Sequence, residues 1–383
     1  MQLYKIVKHI FITLLLLLIL GITGKSQTNY PFYKTPYKIE PLDSNTLFFE
    51  INNNNFIKNN EYFGDIAKGY TLLGFNLAPT FVFIPNNNIK WSLGVNMLAY
   101  YSRTDKSEIQ PLVSFQYKIN SQFDFILGTI HGNINHKLIE PLYDFERFLS
   151  NNTEYGVQFL WNSKKIYADL WLDWEQQIFQ GDPFQEMFNV GLSTDFTLFE
   201  KEENYKITLP FQNLIRHEGG QINSNDEVPL KTIFNNATGL SFFKSIKSKY
   251  LHKLIFSSYW VNYQDLSPNK RQMYADGMGS YTTLELRNTT FDLLAGFWYG
   301  EQFVAPLGNP VFETYSRTKF YIEEPVRQII TAKLNYHKKI SKGSTLGLRF
   351  DSYYDILGSY MEYSWSILVI VNERFFIKNI KSK

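Results

Sequence analysis

The sequence predicts an all-β chain folded as a transmembrane antiparallel β-barrel of about sixteen strands. Three observations carry that expectation. They are an N-terminal export segment, an aromatic fraction of 17% beside a charged fraction of 19%, and stretches of alternating polarity that recur down the whole chain.

Lys5, Lys8 and His9 precede an apolar run from Ile10 to Leu20, which gives way to small and polar residues from Gly21 to Gln27. This is the pattern of a cleaved secretory signal. It divides the chain into a signal peptide at 1–26 and a single barrel domain at 27–383, because no repeat, linker or charge block cuts the remainder. The apolar run is shorter than the ~20 residues of a helical span, and no later stretch of ~18 apolar residues follows it. A mature chain in a membrane must then cross it with closed strands, which alone satisfy every backbone group there. With Cys 0 there is no thiol for a lipid anchor and no disulfide framework, and a net charge of +2 implies no nucleic-acid partner.

Phe 33, Tyr 26 and Trp 7 are many for a soluble domain with a mean hydropathy of −0.25. A barrel in lipid needs them at both interfaces, while polar residues facing the lumen keep the average hydropathy low. The alternation is plain at Phe291, Leu293, Ala295, Phe297 and Tyr299 against Asp292, Gly296 and Gly300. It recurs at Met361, Tyr363, Trp365 and Ile367 against Glu362, Ser364 and Ser366, and at Leu346, Leu348 and Phe350 against Arg349 and Asp351. Strands are expected at 44–53, 70–84, 90–102, 108–119, 122–131, 153–162, 165–177, 186–199, 204–214, 235–247, 249–263, 279–288, 290–301, 327–339, 343–354 and 359–371. Connections after even-numbered strands are short. Those after odd-numbered strands are mostly long, notably 132–152 and 302–326, so short turns fall on the periplasmic side with both termini and long loops outside.

In this organisation the chain resembles outer-membrane β-barrel proteins of the porin-like type, and its Asn-, Lys-, Ile- and Tyr-rich style resembles barrels of the Bacteroidota. The resemblance implies outer-membrane lipid around the chain, a small polar solute within it and barrel-assembly machinery during biogenesis. One departure is the C-terminus: Phe375 and Phe376 are followed by Ile377 to Lys383, where such barrels commonly finish on an aromatic residue.

Sixteen strands enclose an aqueous lumen. In the 132–152 loop, Pro141 suits a first helical turn, with Leu142, Phe145, Phe148 and Leu149 at helical spacing. His136, Glu140, Asp144, Glu146 and Arg147 supply the charge for a constriction, as the inward third loop of general porins would. The alternative is a surface loop closing the rim. The strand at 165–177 turns Tyr167, Asp169, Trp171, Asp173 and Glu175 inward, and three stacked carboxylates need hydration or pairing. Lys206, Lys253, Arg287, Lys333 and Arg349 on other inward faces can pair them, with Glu285, Asp292, Asp351 and Glu362 completing the lining. Trp171 and Trp298 offer stacking platforms for a sugar ring.

Enzyme signals are thin, and neither a cofactor nor a resident metal is expected. His131, His136 and Glu140 share a loop and can in principle hold a metal, while His217 with Glu218 beside Gly219 and Gly220 can do acid–base work. No G-x-S-x-G or P-loop occurs. The expectation is a non-enzymatic channel for small polar solutes, saccharides among them. A structural or anchoring barrel is the second reading and an outer-membrane hydrolase the third.

Overall fold

The computed structural model describes residues 39, 43–201, 204–220, 229–270, 272–319 and 321–380; the signal segment lies outside them. Sixteen strands form one closed antiparallel barrel, each paired with its neighbours in sequence and the last with the first. They are β1 Thr46–Glu61, β2 Thr71–Asn86, β3 Ile89–Tyr100, β4 Arg103–Lys118, β5 Phe123–Thr129, β6 Tyr155–Asn162, β7 Ile166–Gln176, β8 Met187–Lys201, β9 Tyr205–Glu218, β10 Lys231–Ser245, β11 Lys253–Asp265, β12 Asp276–Arg287, β13 Phe291–Glu301, β14 Val326–Lys339, β15 Ser344–Asp355 and β16 Tyr360–Asn379. Closure runs from Thr46 opposite Asn379 to Glu61 opposite Tyr363, with one register shift between Leu47 and Phe48. It leaves no sheet edge along that seam for another chain to join.

Every expected strand is present, and the differences lie at ends. β1 continues through Asn52–Asn55 to Glu61, a run whose poor strand propensity reads as loop. Here Asn54, Lys58 and Asn60 simply take the inward positions between outward ones. β16 extends through Phe375 and Phe376 to Asn379. Connections at one end are short turns, and this turn end also carries both described chain termini. The opposite, loop end carries the long connections, apart from the tight turns at 101–102 and 356–359.

Outward positions are apolar and exposed, among them Leu93, Phe297, Ile330, Leu348 and Ile367, while Asp292, Arg349, Asp351, Glu362, Ser364 and Ser366 are inward and buried. The lumen is not the open aqueous space expected of so many strands. The loops at 130–154 and 302–325 both turn inside and form apolar cores there. Leu142 meets Phe303, Val304, Val311 and Phe312 against Ile233, Val261, Tyr281, Trp298, Ile329 and Tyr353 on β10 to β15. Phe145 and Leu149 pack on Phe56, Leu98, Leu368 and Ile370 of β1, β3 and β16. Tyr143, Ile130 and Leu307 pack on Ile126, Trp171 and Leu214 of β5, β7 and β9. At ~1.5–3 kcal/mol for each large side chain buried, this contact favours the loops inside. Where the loops cross, a Cβ on Gly308 would sit 2.1 Å from the Pro141 carbonyl oxygen, so only glycine permits the approach. The expected helix is shorter than its apolar stripe: a turn of 3-10 helix at Asn133–His136 and an α-turn at Arg147–Ser150.

Candidate functional site

The charged residues of the 130–154 loop are spent on the wall. The His136 Nδ1 atom lies 2.8 Å from Asp169 Oδ2 and its Nε2 atom 2.8 Å from Glu154 Oε2. Tyr143 donates to Glu154 at 2.5 Å and Gln158 to Asp169 at 2.9 Å. The imidazole stacks on Trp171 with ring centroids 3.5 Å apart and planes 9° from parallel. Burial opposes charge on His136, but the Glu154 and Asp169 carboxylates outweigh it and hold the imidazolium well above the usual histidine range. Burial likewise opposes the Glu154 charge, and His136 outweighs it, so that carboxyl is held well below its usual range. An imidazolium with both N–H groups committed can neither accept a proton nor bind a metal. It is a clamp.

The histidines and carboxylate of this loop therefore do not converge on a metal: Glu140 pairs with Lys333, accepts from Tyr353 at 2.9 Å and Asn309 at 2.8 Å, and lies 3.8 Å from Arg349. The expected sugar platforms are also covered. Trp171 lies beneath His136, and Trp298 is fully buried between Phe303 and Phe312. Glu146 binds Lys58 at 2.7 Å, Asn60 at 2.8 Å and the Tyr70 hydroxyl, while Asp144 accepts the Glu146 N–H at 3.0 Å. Arg147 reaches Glu175 at 2.5 Å, and Arg216 joins Glu175 and Glu218, each at 2.8 Å. Asp173 accepts from Tyr155 N and Asn189 Nδ2, both at 3.1 Å. Of the remaining lining residues, Arg287 pairs with Glu285, Arg349 with Asp351 at 2.7 Å, and Glu362 accepts from Gly64 N at 3.2 Å. Asp292 is buried on the inner face, and Lys206 and Lys253 are half-buried there.

Several anchors carried no sequence signal. Arg327 binds Asp355 at 2.9 Å and the carbonyls of Val311 and Glu313 at 2.6 and 3.0 Å. Arg317 pairs with Glu313 at 2.5 Å. The one signal that could have found this second plugging loop is its apolar content, Phe303–Val304–Ala305 and Pro310–Val311–Phe312, too rich for a solvated connection.

On the outer face the pattern differs. Along β9 the even-numbered residues point inward, so His217 points outward, one residue from the loop end. Its Nδ1 atom lies 2.8 Å from the Thr232 hydroxyl on β10, and its ring lies 4.9 Å from Phe188 on β8, which in turn lies 5.3 Å from Trp174.

A family model described as lipid A 3'-O-deacylase-type matches residues 39–380, the whole barrel. The chain belongs to that family. This corrects the expectation of a non-enzyme: the family is an enzyme family. Among curated proteins, none matches in sequence. Among solved structures, a loop L8 deletion mutant of OmpT, an outer-membrane protein of Vibrio cholerae, aligns at TM-score 0.50 and 11% identity over 86% of this chain and 99% of that one. The outer-membrane protein OprD of Pseudomonas aeruginosa aligns at TM-score 0.50 and 9% identity over 91% and 99%. At such identities the likeness is one of fold. The family's barrel is here an outer-membrane barrel.

Proposed function

We propose that this barrel hydrolyses an O-linked acyl chain on a saccharide lipid of the outer leaflet, with His217 as general base. The observation that carries the proposal is the outward imidazole held at 2.8 Å by the Thr232 hydroxyl. Membership of a lipid A 3'-O-deacylase-type family supports this reaction class. With the Nδ1–H donated to Thr232, the Nε2 lone pair is directed away from that partner and can take a proton from water. The water oxygen then attacks the acyl carbonyl, the ester C–O bond breaks, and the proton passes from His217 to the departing sugar oxygen. Phe188 and Trp174 beside the ring give the acyl chain an apolar bed. His136 does not serve, because both of its nitrogens are engaged.

The test uses full-length protein in vesicles containing lipopolysaccharide, with released fatty acid and residual lipid followed by mass spectrometry. His217→Ala should slow release by about 10²- to 10⁴-fold, the usual weight of a general base, while the barrel stays heat-modifiable on gels. Undiminished release would remove His217 from the reaction. Conduction of small polar solutes is the second reading. Sixteen strands give it enough girth, but both inward loops would have to leave the lumen.

A further inference from the structure

Beneath the plug, at the turn end of the lumen, lies a narrow pocket lined by both polar and apolar side chains. Its roof is Lys137, the lowest reach of the 130–154 loop, and its wall is the turn-end halves of β7 to β11. It does not depend on the proposed ester chemistry at His217, which faces out of the barrel.

Three features distinguish this pocket from a wet gap. First, Lys137 is held on purpose: its backbone is left-handed at φ 58 and ψ 27, a conformation disfavoured for a side chain of this size. Gln212 fixes it by donating to the Lys137 carbonyl at 3.1 Å and accepting the Ile139 N–H at 3.0 Å. The ammonium is thereby set 3.3 Å from the centre of the Tyr167 ring. Second, the charge is unbalanced. Lys137 and Lys206 both line the pocket with a single carboxylate, Asp195. Among the described residues neither ammonium has an ion-pair partner within 4.0 Å, and Asp195 Oδ1 is buried without a hydrogen-bond partner. Burial pushes Lys137 down to about 8, although Asp169 and Asp195 pull it upward. Third, hydroxyls crowd the same walls: Ser193, Thr208, Ser241, Ser257 and Tyr259.

Two cations, one unsatisfied acceptor and several hydroxyls are complementary to a ligand with one anionic group and several hydroxyl groups. We infer that this pocket binds a small hydroxylated anion, a sugar acid or sugar phosphate, entering from the turn end. Lys137 and Lys206 take the anionic group, Asp195 accepts a ligand hydroxyl, and the Tyr167 and Tyr259 rings flank the sugar. Charged hydrogen bonds fix the anion, while the hydroxyl walls distinguish a polyol from a bare ion.

Titration calorimetry on the refolded full chain in detergent micelles tests this with four probes: glucose 6-phosphate, glucuronate, glucose and inorganic phosphate. Saturable binding is expected for glucose 6-phosphate or glucuronate, with glucose and inorganic phosphate each at least about tenfold weaker. Lys206→Met, on a strand and clear of the plug, should weaken the anion by about tenfold or more, the usual weight of a hydrogen bond to a charged group. Lys137→Met should do the same if the barrel remains heat-modifiable. The inference is overturned if neither sugar anion binds saturably, or if affinity is unchanged in Lys206→Met. It is also overturned if inorganic phosphate binds as tightly as glucose 6-phosphate, since the hydroxyl walls would then contribute nothing.

Discussion

At His136 two buried carboxylates and one imidazolium pin a loop to the inside of the wall, and the energetics follow from what each loses alone. Removing one partner of a buried ion pair typically costs ~3–5 kcal/mol, because the other charge stays buried without compensation. His136→Gln should therefore raise amide exchange across residues 130–154, measured by hydrogen-exchange mass spectrometry, while strands distant from β7 keep their protection. The pH dependence has two flanks. A histidine raised in the folded state contributes stability that is complete below its unfolded value of ~6.5 and is lost as pH rises through the folded value. A glutamate lowered in the folded state contributes stability that is complete above ~4.3 and is lost as pH falls through its folded value. Loop protection should thus be greatest between ~4.3 and ~6.5 and decline above it. His136→Gln should flatten the alkaline flank. Equal alkaline slopes in the two proteins would show that His136 is not the titrating clamp.

Strands and loops differ in how much of them can be read before the fold is known. Each strand is legible because lipid and lumen impose opposite polarities on successive residues, as Asp292 against Phe291 and Leu293 shows, and a closed barrel allows no strand to be skipped. The Asn52–Asn55 run hides the second half of β1, since its outward asparagines break the rule. Loops carry no such period. The apolar stripe of Leu142, Phe145 and Leu149 reads as a helix face, yet what it faces depends on residues far away in sequence, such as Leu368 on β16 and Phe312 in the other loop. His217 reads as a loop histidine, because the ninth strand is expected to end at 214, whereas β9 runs on to Glu218. Its outward direction and its Thr232 partner depend on the β9–β10 register. The 130–154 loop, expected to narrow the lumen with charge, instead packs apolar side chains inside the barrel together with the 302–325 loop. Replacing 302–325 by a short turn should expose the space beside β10 to β15 and produce single-channel conductance in planar bilayers where the intact protein gives none. Steady conductance from the intact protein would mean that the plug opens, and would shift the balance toward solute passage.

For the whole molecule, the decisive question is which end faces the cell exterior, because it determines which leaflet His217 meets and from which side the Lys137 pocket is reached. Both described termini lie at the turn end, with Thr46 opposite Asn379, and single-chain bacterial barrels place short turns in the periplasm and long loops outside. On that orientation His217 sits at the outer-leaflet headgroups, and the Lys137 pocket opens to the periplasm. Engineered cysteines test this cleanly, since the sequence contains Cys 0. Lys319, exposed at the loop end, and Lys342, exposed in a turn at the other, are both free of the barrel core. A membrane-impermeant maleimide added to intact cells should label Lys319→Cys at once and Lys342→Cys only after the outer membrane is permeabilised. Glu140 belongs to the same loop end in sequence but sits inside, engaged by Tyr353 and Asn309, so Glu140→Cys should resist the reagent on either side while the plug is in place. Labelling of Lys342→Cys but not Lys319→Cys in intact cells would place His217 in the inner leaflet, where no lipopolysaccharide is presented to it, and the ester chemistry proposed for that face would fail with the orientation.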